Sequence, residues 1–278
     1  MVKIKINYSI FQVTLIQTVN RHGGNASGSA RRRGLCDAGR APILSAMDFP
    51  EPLVPGRLIR RYKRFLSDIE LAGGATVTAH CPNPGAMLGL DAPGSEVWLL
   101  PARGAGRKLP YGWELIRVGP ELVGINAVRA NGLAVEAIRA GRIPALAGYA
   151  SLRREVRYGR ASRIDILLEG DSRPPCYVEV KNVHLKRGDA AEFPDSVTIR
   201  GAKHLDELSA VAARGGRAVM LYVVQRADCG RFAVAADIDP AYAAALVRAR
   251  AAGVETLCYA CTVSVQTIEV ARPLPLAP

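Results

Sequence analysis

The 278-residue chain has no apolar run of about eighteen residues, which excludes a membrane-spanning helix. It also lacks a phosphate-binding glycine loop and a dinucleotide-binding glycine fingerprint. A small-molecule enzyme built on either therefore has no support. Cysteine is scarce: Cys36, Cys81, Cys176, Cys229, Cys258 and Cys261 do not make a disulfide scaffold at this length, and they favour a reducing, cytoplasmic setting. Cys258-Tyr-Ala-Cys261 has the spacing of a redox or metal pair. No second such pair and no histidine pair accompanies it, so a buried structural pair is the stronger reading. Acidic residues are in deficit, 25 against 37 Lys and Arg, leaving a net charge of +12. Such an excess favours an anionic partner such as nucleic acid.

The excess is uneven. Residues 1–46 hold seven basic groups and one acidic group, and the rest of the chain holds 30 and 24. The stretch Met1 to Asn20 is interrupted by Lys3, Lys5, Asn7, Gln12 and Gln17, too polar for a signal peptide. A Gly- and Ser-rich run and Arg31-Arg32-Arg33 follow. Composition predicts a disordered extension over 1–46 that the fold does not need, with Met47 a plausible start. An Arg-rich nucleic-acid arm or targeting peptide is the alternative.

Residues 47–118 carry short strand patterns separated by turn clusters. These are Leu58 to Leu66, Ala75 to His80, Glu96 to Leu100 and Trp113 to Val118. Several short strands in so few residues predict a small barrel of the oligonucleotide-binding (OB) type. In the first, Arg60, Arg61, Lys63 and Arg64 interleave with Tyr62 and Phe65, and one strand face would show Arg60, Tyr62 and Arg64. That is either a single-strand binding groove with a stacking surface or an edge strand blunted by charge. The loop with Arg103, Arg107 and Lys108 offers further phosphate contacts, and His80-Cys81-Pro82-Asn83 reads as a turn after a strand.

Residues 119–278 predict an α/β domain with a mixed sheet. A helix spans Asn131 to Gly141, Ala218 to Val224 is a buried central strand, and a helix from Asp239 to Arg250 precedes a late strand from Val254 to Val263. Two further strands, Arg163-Ile164-Asp165-Ile166 and Tyr177-Val178-Glu179-Val180-Lys181, flank a turn-rich segment. A hairpin centred on Ser172 puts Asp165 opposite Glu179. Paired carboxylates that close repel and raise a pKa unless a cation sits between them. The candidates are a hard divalent ion and the Lys181 ammonium. Glu136, mid-helix, is either a solvated residue or a third carboxylate for this pair. Arg153, Arg154 and Arg163 abut the hairpin, and Arg200, Lys203 and His204 share one side of a helix that Asp195 or Ser196 would cap. That helix group can face phosphate, although a lone histidine such as His204 is more often a surface or capping residue.

These pieces resemble the sugar fermentation stimulation protein A (SfsA) family. The likeness rests on Leu58 to Leu66, His80-Cys-Pro-Asn-Pro-Gly-Ala-Met87, Ser162-Arg-Ile-Asp165, Tyr177 to Lys181, Phe193-Pro-Asp-Ser-Val-Thr198 and Lys203-His-Leu205, in one order from Phe49 to Leu276. The family commonly has Pro-Asn-Thr-Gly where Pro82-Asn83-Pro84-Gly85 stands here. The resemblance implies an OB-fold domain followed by a domain like the PD-(D/E)XK nucleases, and binding to DNA, together with a link to sugar (maltose) metabolism. By motif it implies that Asp165 is the first acidic position, Glu179 and Lys181 the E-x-K element, and Glu136 the helix carboxylate. Asp195 lies in a family motif without an assigned role.

Two functions follow as expectations. One is a Mg2+- or Mn2+-dependent DNA nuclease with Asp165 and Glu179 as metal ligands, Lys181 and Glu136 assisting, and DNA gripped by Arg60, Arg61, Lys63, Arg64, Arg153, Arg154, Arg163, Arg200 and Lys203 without strong sequence preference. The other is a non-catalytic DNA-binding regulator of sugar metabolism on the same scaffold. Both imply a cytoplasmic or nucleoid-associated protein with no membrane partner.

Overall fold

Short alternating strands cannot each bury an apolar face alone, and the first half of the chain solves this by closing a sheet on itself. A computed structural model describes residues 48–104, 107–159 and 162–277; the expected N-terminal extension and Cys36 lie outside the described residues. The first strands are β1 (Val54–Tyr62), β2 (Leu66–Leu71), β3 (Thr76–His80), β4 (Glu96–Pro101), β5 (Tyr111–Val118) and β6 (Glu121–Gly124). They pair in the order β3-β2-β1-β4-β5-β6, and β3 also pairs with β5 in parallel at Ala79–Tyr111 and His80–Gly112. That closes a five-stranded barrel, with β6 as a hairpin arm on β5. Its core gathers alternate residues: Leu58, Ile69, Ala79, Val97, Leu99, Trp113 and Ile116. Val123 and Ile125 complete this core, past the expected limit at residue 118.

Two expectations for the first strand are corrected. β1 lies between β2 and β4 and is no edge strand. It also ends at Tyr62, because Lys63 and Arg64 turn the chain with φ of 49° and 64°. Arg64 therefore does not share a strand face with Arg60 and Tyr62. Positive φ in a hairpin turn is usually signalled by Gly or Asn, and here the sequence offers neither.

After the barrel come α1 (Arg129–Arg139), β7 (Ser151–Tyr158), β8 (Ser162–Gly170), β9 (Arg173–Val183), β10 (Leu185–Arg187), β11 (Ala190–Phe193), α2 (Ile199–Ala212), β12 (Arg217–Val224), β13 (Arg231–Val234), α3 (Pro240–Ala251), β14 (Glu255–Val263) and β15 (Ile268–Pro273). The main sheet runs β15-β14-β12-β9-β8-β7. Its centre, β9-β12-β14, is parallel, and its flanks are antiparallel. β12 is apolar at successive positions because both its faces are covered. Val219, Leu221 and Val223 pack with Leu133, Ala134 and Ala137 of α1. Met220, Tyr222 and Val224 pack with Leu205 and Leu208 of α2 and Tyr242 of α3. A small sheet β10-β11-β13 flanks this layer.

Cys258 and Cys261 are three residues apart on one strand, so they point to opposite faces, one into each core. Both are buried, and burial pushes the Cys261 thiol up to about 12. They pack separately rather than as a pair. The N-cap of α2 is Thr198, whose side chain accepts from Gly201 N–H, and not Asp195 or Ser196. Asp195 is held elsewhere by stronger partners.

Candidate functional site

β8 and β9 pair with Ile166 opposite Val178, Leu167 opposite Tyr177 and Leu168 opposite Cys176. Each pair is centred on residue 172, so the register runs on to Asp165 and Glu179. Neither the β8–β9 ladder nor the β7–β8 ladder contains a pair at Asp165. On β7 the residue facing it, Glu155, has φ of 53°, off the extended path. Where β8 and β9 part, the side chain of Asp165 takes over from backbone: its Oδ2 accepts from Val180 N–H at 2.8 Å. Its Oδ1 accepts from Asn131 Nδ2 at 2.8 Å, in the first turn of α1.

Strand alternation turns Val178 and Val180 toward α1, and Glu179 and Lys181 toward α2. Glu179 is 2% exposed. Lys181 Nζ lies 2.8 Å from Glu179 Oε1, and His204 Nδ1 donates to the same oxygen. His204 Nε2 accepts from Arg200 Nε at 3.2 Å, and with the acceptor-only Glu179 oxygen on its other side the ring proton belongs on Nδ1; Lys181 Nζ, 3.3 Å from Nδ1, donates to Glu179 instead. The buried Glu179 Oε2 has no hydrogen-bond partner among the described residues. Buried polar atoms are nearly always paired, so this oxygen needs an explanation.

The two carboxylates titrate in opposite directions. Burial pushes Glu179 up, but the His204 donor and the Lys181 charge outweigh it and hold the group below the usual carboxylate range. Burial and the charge of Glu179 push Asp165 up to about 6, against the opposing donors Val180 N–H and Asn131 and the charge of Lys181. A site with a buried carboxylate oxygen that no described residue hydrogen-bonds, and with a second carboxylate raised by burial and by the charge of the first, fits a hard divalent cation such as Mg2+, Mn2+ or Ca2+. Asp165 and Glu179 are the residues that fit it. Among the described residues no group of three or more Asp, Glu, His or Cys is placed to hold a metal ion. Glu136 therefore forms no third member of a ligand group with Asp165 and Glu179; the α1 residue bonded to Asp165 is Asn131, with Glu136 five residues on, about 140° round the helix at about 100° per residue.

His204 is the residue that sequence reasoning undervalued. It is 6% exposed and faces Glu179, not solvent. Its phase on α2 gave the signal: it adjoins the buried Leu205 while Arg200 and Lys203 on the same side are exposed.

The expected cationic residues divide by what already holds them. Arg61 donates to the carbonyls of Arg64, Asn83 and Gly85 at 2.8 to 3.0 Å, so its guanidinium braces a loop instead of facing outward. Arg64 donates to Pro84 O at 2.8 Å but remains exposed. Arg60 bonds Asp68 at 2.8 Å and lies over the Tyr62 ring at 4.8 Å, and Lys63 is exposed in the turn. Arg153 makes two bonds to Glu169, both 2.9 Å. Arg154 and Arg163 are exposed on β7 and β8, and Arg200 and the 55%-exposed Lys203 flank His204.

A second polar group joins the barrel to the sheet domain. Asp195 Oδ2 accepts from Met87 N–H at 3.0 Å and lies 3.2 Å from His184 Nε2. Asn83 Nδ2 donates to Ile125 O at 2.8 Å and lies 3.4 Å from His184 Nδ1. A Cβ on Gly85 would fall 2.3 Å from Asp195 Oδ2, so any side chain there has to displace that carboxylate. The role of Asp195 is therefore to clasp the loop after β3, and burial's upward push on it is outweighed by His184 and the Met87 N–H.

Comparison with known proteins agrees with this architecture. The family model "SfsA N-terminal OB domain" matches residues 59–125, and "Sugar fermentation stimulation protein RE domain" matches residues 128–267. The sugar fermentation stimulation protein homolog of Rhodospirillum centenum is 58% identical over 232 residues, covering 83% of this chain and 100% of its own length. That of Azorhizobium caulinodans is 57% identical over 235 residues, covering 83% and 99%. A solved structure, that of Pyrococcus furiosus SfsA in complex with Ca2+, superposes with a TM-score of 0.76 at 27% identity, over 84% of this chain and 100% of that one. With its closed barrel, its mixed sheet and these matches along nearly all of the described residues, the chain belongs to the sugar fermentation stimulation protein (SfsA) family.

Proposed function

We propose that this chain binds DNA and hydrolyses its phosphodiester bonds with a divalent cation, on a domain of the PD-(D/E)XK nuclease type. The observation that carries this reading is the meeting of Asp165 and Glu179 beside Lys181, with Glu179 Oε2 buried and without a hydrogen-bond partner among the described residues. Mg2+ or Mn2+ is the expected ion, and when bound it supplies polarisation of a phosphoryl oxygen and acidification of a coordinated water. Asp165 and Glu179 would hold it. A family relative solved with Ca2+ supports an affinity for hard divalent ions. Lys181, fixed at 2.8 Å from Glu179, keeps its remaining N–H donors for a phosphate oxygen on which charge grows. Arg200 and Lys203 are exposed beside it and neutralise neighbouring phosphates. The barrel offers Arg60 stacked over Tyr62 as a surface for unpaired bases.

A second reading, DNA binding without turnover, draws on one observation. The Lys181 charge and the His204 hydrogen bond already stabilise Glu179, so the site is electrostatically tolerable without a cation. The deciding experiment incubates single-stranded, double-stranded and branched DNA with Mg2+ or Mn2+, for wild type, Asp165→Ala and Lys181→Ala. Cleavage by wild type alone supports the nuclease. Cleavage that survives both substitutions, or no cleavage with any metal, refutes it, and DNA binding without cleavage leaves the regulator.

A further inference from the structure

We propose that His204 is a positioning residue that locks the Glu179 carboxylate, dedicating Oε1 to the protein and Oε2 to the cation. The inference rests on the proposed cation site and goes one step beyond it, to what sets that site's affinity.

A glutamate side chain has three rotatable bonds and, when free, offers a metal either oxygen. Here both donors converge on Oε1: Lys181 Nζ at 2.8 Å and His204 Nδ1. The other oxygen is buried and takes no hydrogen bond from the described residues. Lys181 cannot impose this by itself, because an ammonium donates in any direction about its axis. The histidine ring is planar, and its proton is placed by a third residue. Arg200 Nε, at 3.2 Å from Nε2, can only donate, and the Glu179 carboxylate oxygen can only accept, so together they make Nε2 the acceptor and Nδ1 the donor; Lys181 Nζ, 3.3 Å from Nδ1, gives its proton to Glu179 instead. The ring is itself immobilised, since the next residue, Leu205, is fully buried and Leu208 anchors the following turn. The backbone of α2 thus transmits the position of the sheet core to one carboxylate oxygen. A partner that orients a metal ligand typically changes metal affinity about 10- to 100-fold when removed.

The test is Mn2+ titration by calorimetry of the full-length wild type, His204→Leu and His204→Asn, each with its melting temperature recorded to show folding. Asparagine places an amide donor where Nδ1 stands, and leucine places none. His204→Leu is expected to weaken Mn2+ binding about 10- to 100-fold, with His204→Asn staying near wild type. Equal affinity in His204→Leu and wild type overturns the lock and leaves the cation site standing. So does an equal loss in both variants when both are folded. No Mn2+ bound by wild type removes the cation site, and the lock with it.

Discussion

Asp165 is the residue whose replacement should make the metal-free protein more stable. In the fold its carboxyl is raised from an ordinary 3.8 to about 6, by burial and by the negative charge of Glu179. Two units at about 1.4 kcal/mol each come to about 3 kcal/mol against the ionised form at neutral pH. Asp165→Asn removes that charge without changing shape. Its oxygen can still accept from Val180 N–H, and the Asn131 amide can turn over to accept from the new NH2 group. The rise to about 6 is already net of both donors, which favour the ionised form. The partial exposure of Asp165 lowers the electrostatic part further. The net expectation is a gain of about 1–2 kcal/mol at pH 8. The sign with pH follows from linkage: the folded protein holds this proton more tightly than the unfolded chain, so wild type loses stability as pH rises from about 4 to 6. Denaturation midpoints in EDTA, from pH 4 to 8, should therefore coincide for the two proteins at pH 4 and separate by pH 7. A variant less stable at every pH, or a gap already complete at pH 4, would refute the electrostatic reasoning.

Other expectations concern the clasp and the basic surface. Gly85→Ala should cost about 2–4 kcal/mol in denaturant unfolding, because the new Cβ displaces Asp195 from Met87 N–H and His184. Arg61→Ala should lower stability by about 1–3 kcal/mol through its lost bonds to three carbonyls, while the salt dependence of DNA binding stays that of wild type. The double variant Arg200→Ala/Lys203→Ala should fold normally yet reduce the slope of log affinity against log salt by about two, at about 0.9 per phosphate contact. An unchanged slope would place DNA elsewhere.

Much of this was legible in the residues because strand physics is local. The turn-rich segment around Ser172 and the alternation in Tyr177 to Lys181 fix a hairpin register, and that register puts Asp165 level with Glu179. β12 announced itself as an unbroken apolar run. What stayed hidden depends on partners distant in sequence. Nothing local says that the acceptors of Arg61 are backbone carbonyls, two of them in the loop after β3, so by type it suits a phosphate contact. Lys63 and Arg64 adopt positive φ without the glycine that would have marked a turn. The choice between Asn131 and Glu136 depends on how α1 is rotated over the sheet, which helix periodicity leaves open when polar residues occur on more than one side. A lone histidine carries little signal by itself, and only the packing of α2 brings His204 onto Glu179. Asp195, a good cap by type, was drawn off by His184 and a backbone N–H of the barrel.

The most direct single measurement is an anomalous difference map from crystals of the wild-type protein soaked in Mn2+. A peak in contact with both Asp165 and Glu179 Oε2, at about 2.0–2.6 Å as expected for hard oxygen ligands, is the predicted result. A map with no peak there, while Mn2+ orders elsewhere on the protein, would contradict the cation site and the chemistry built on it.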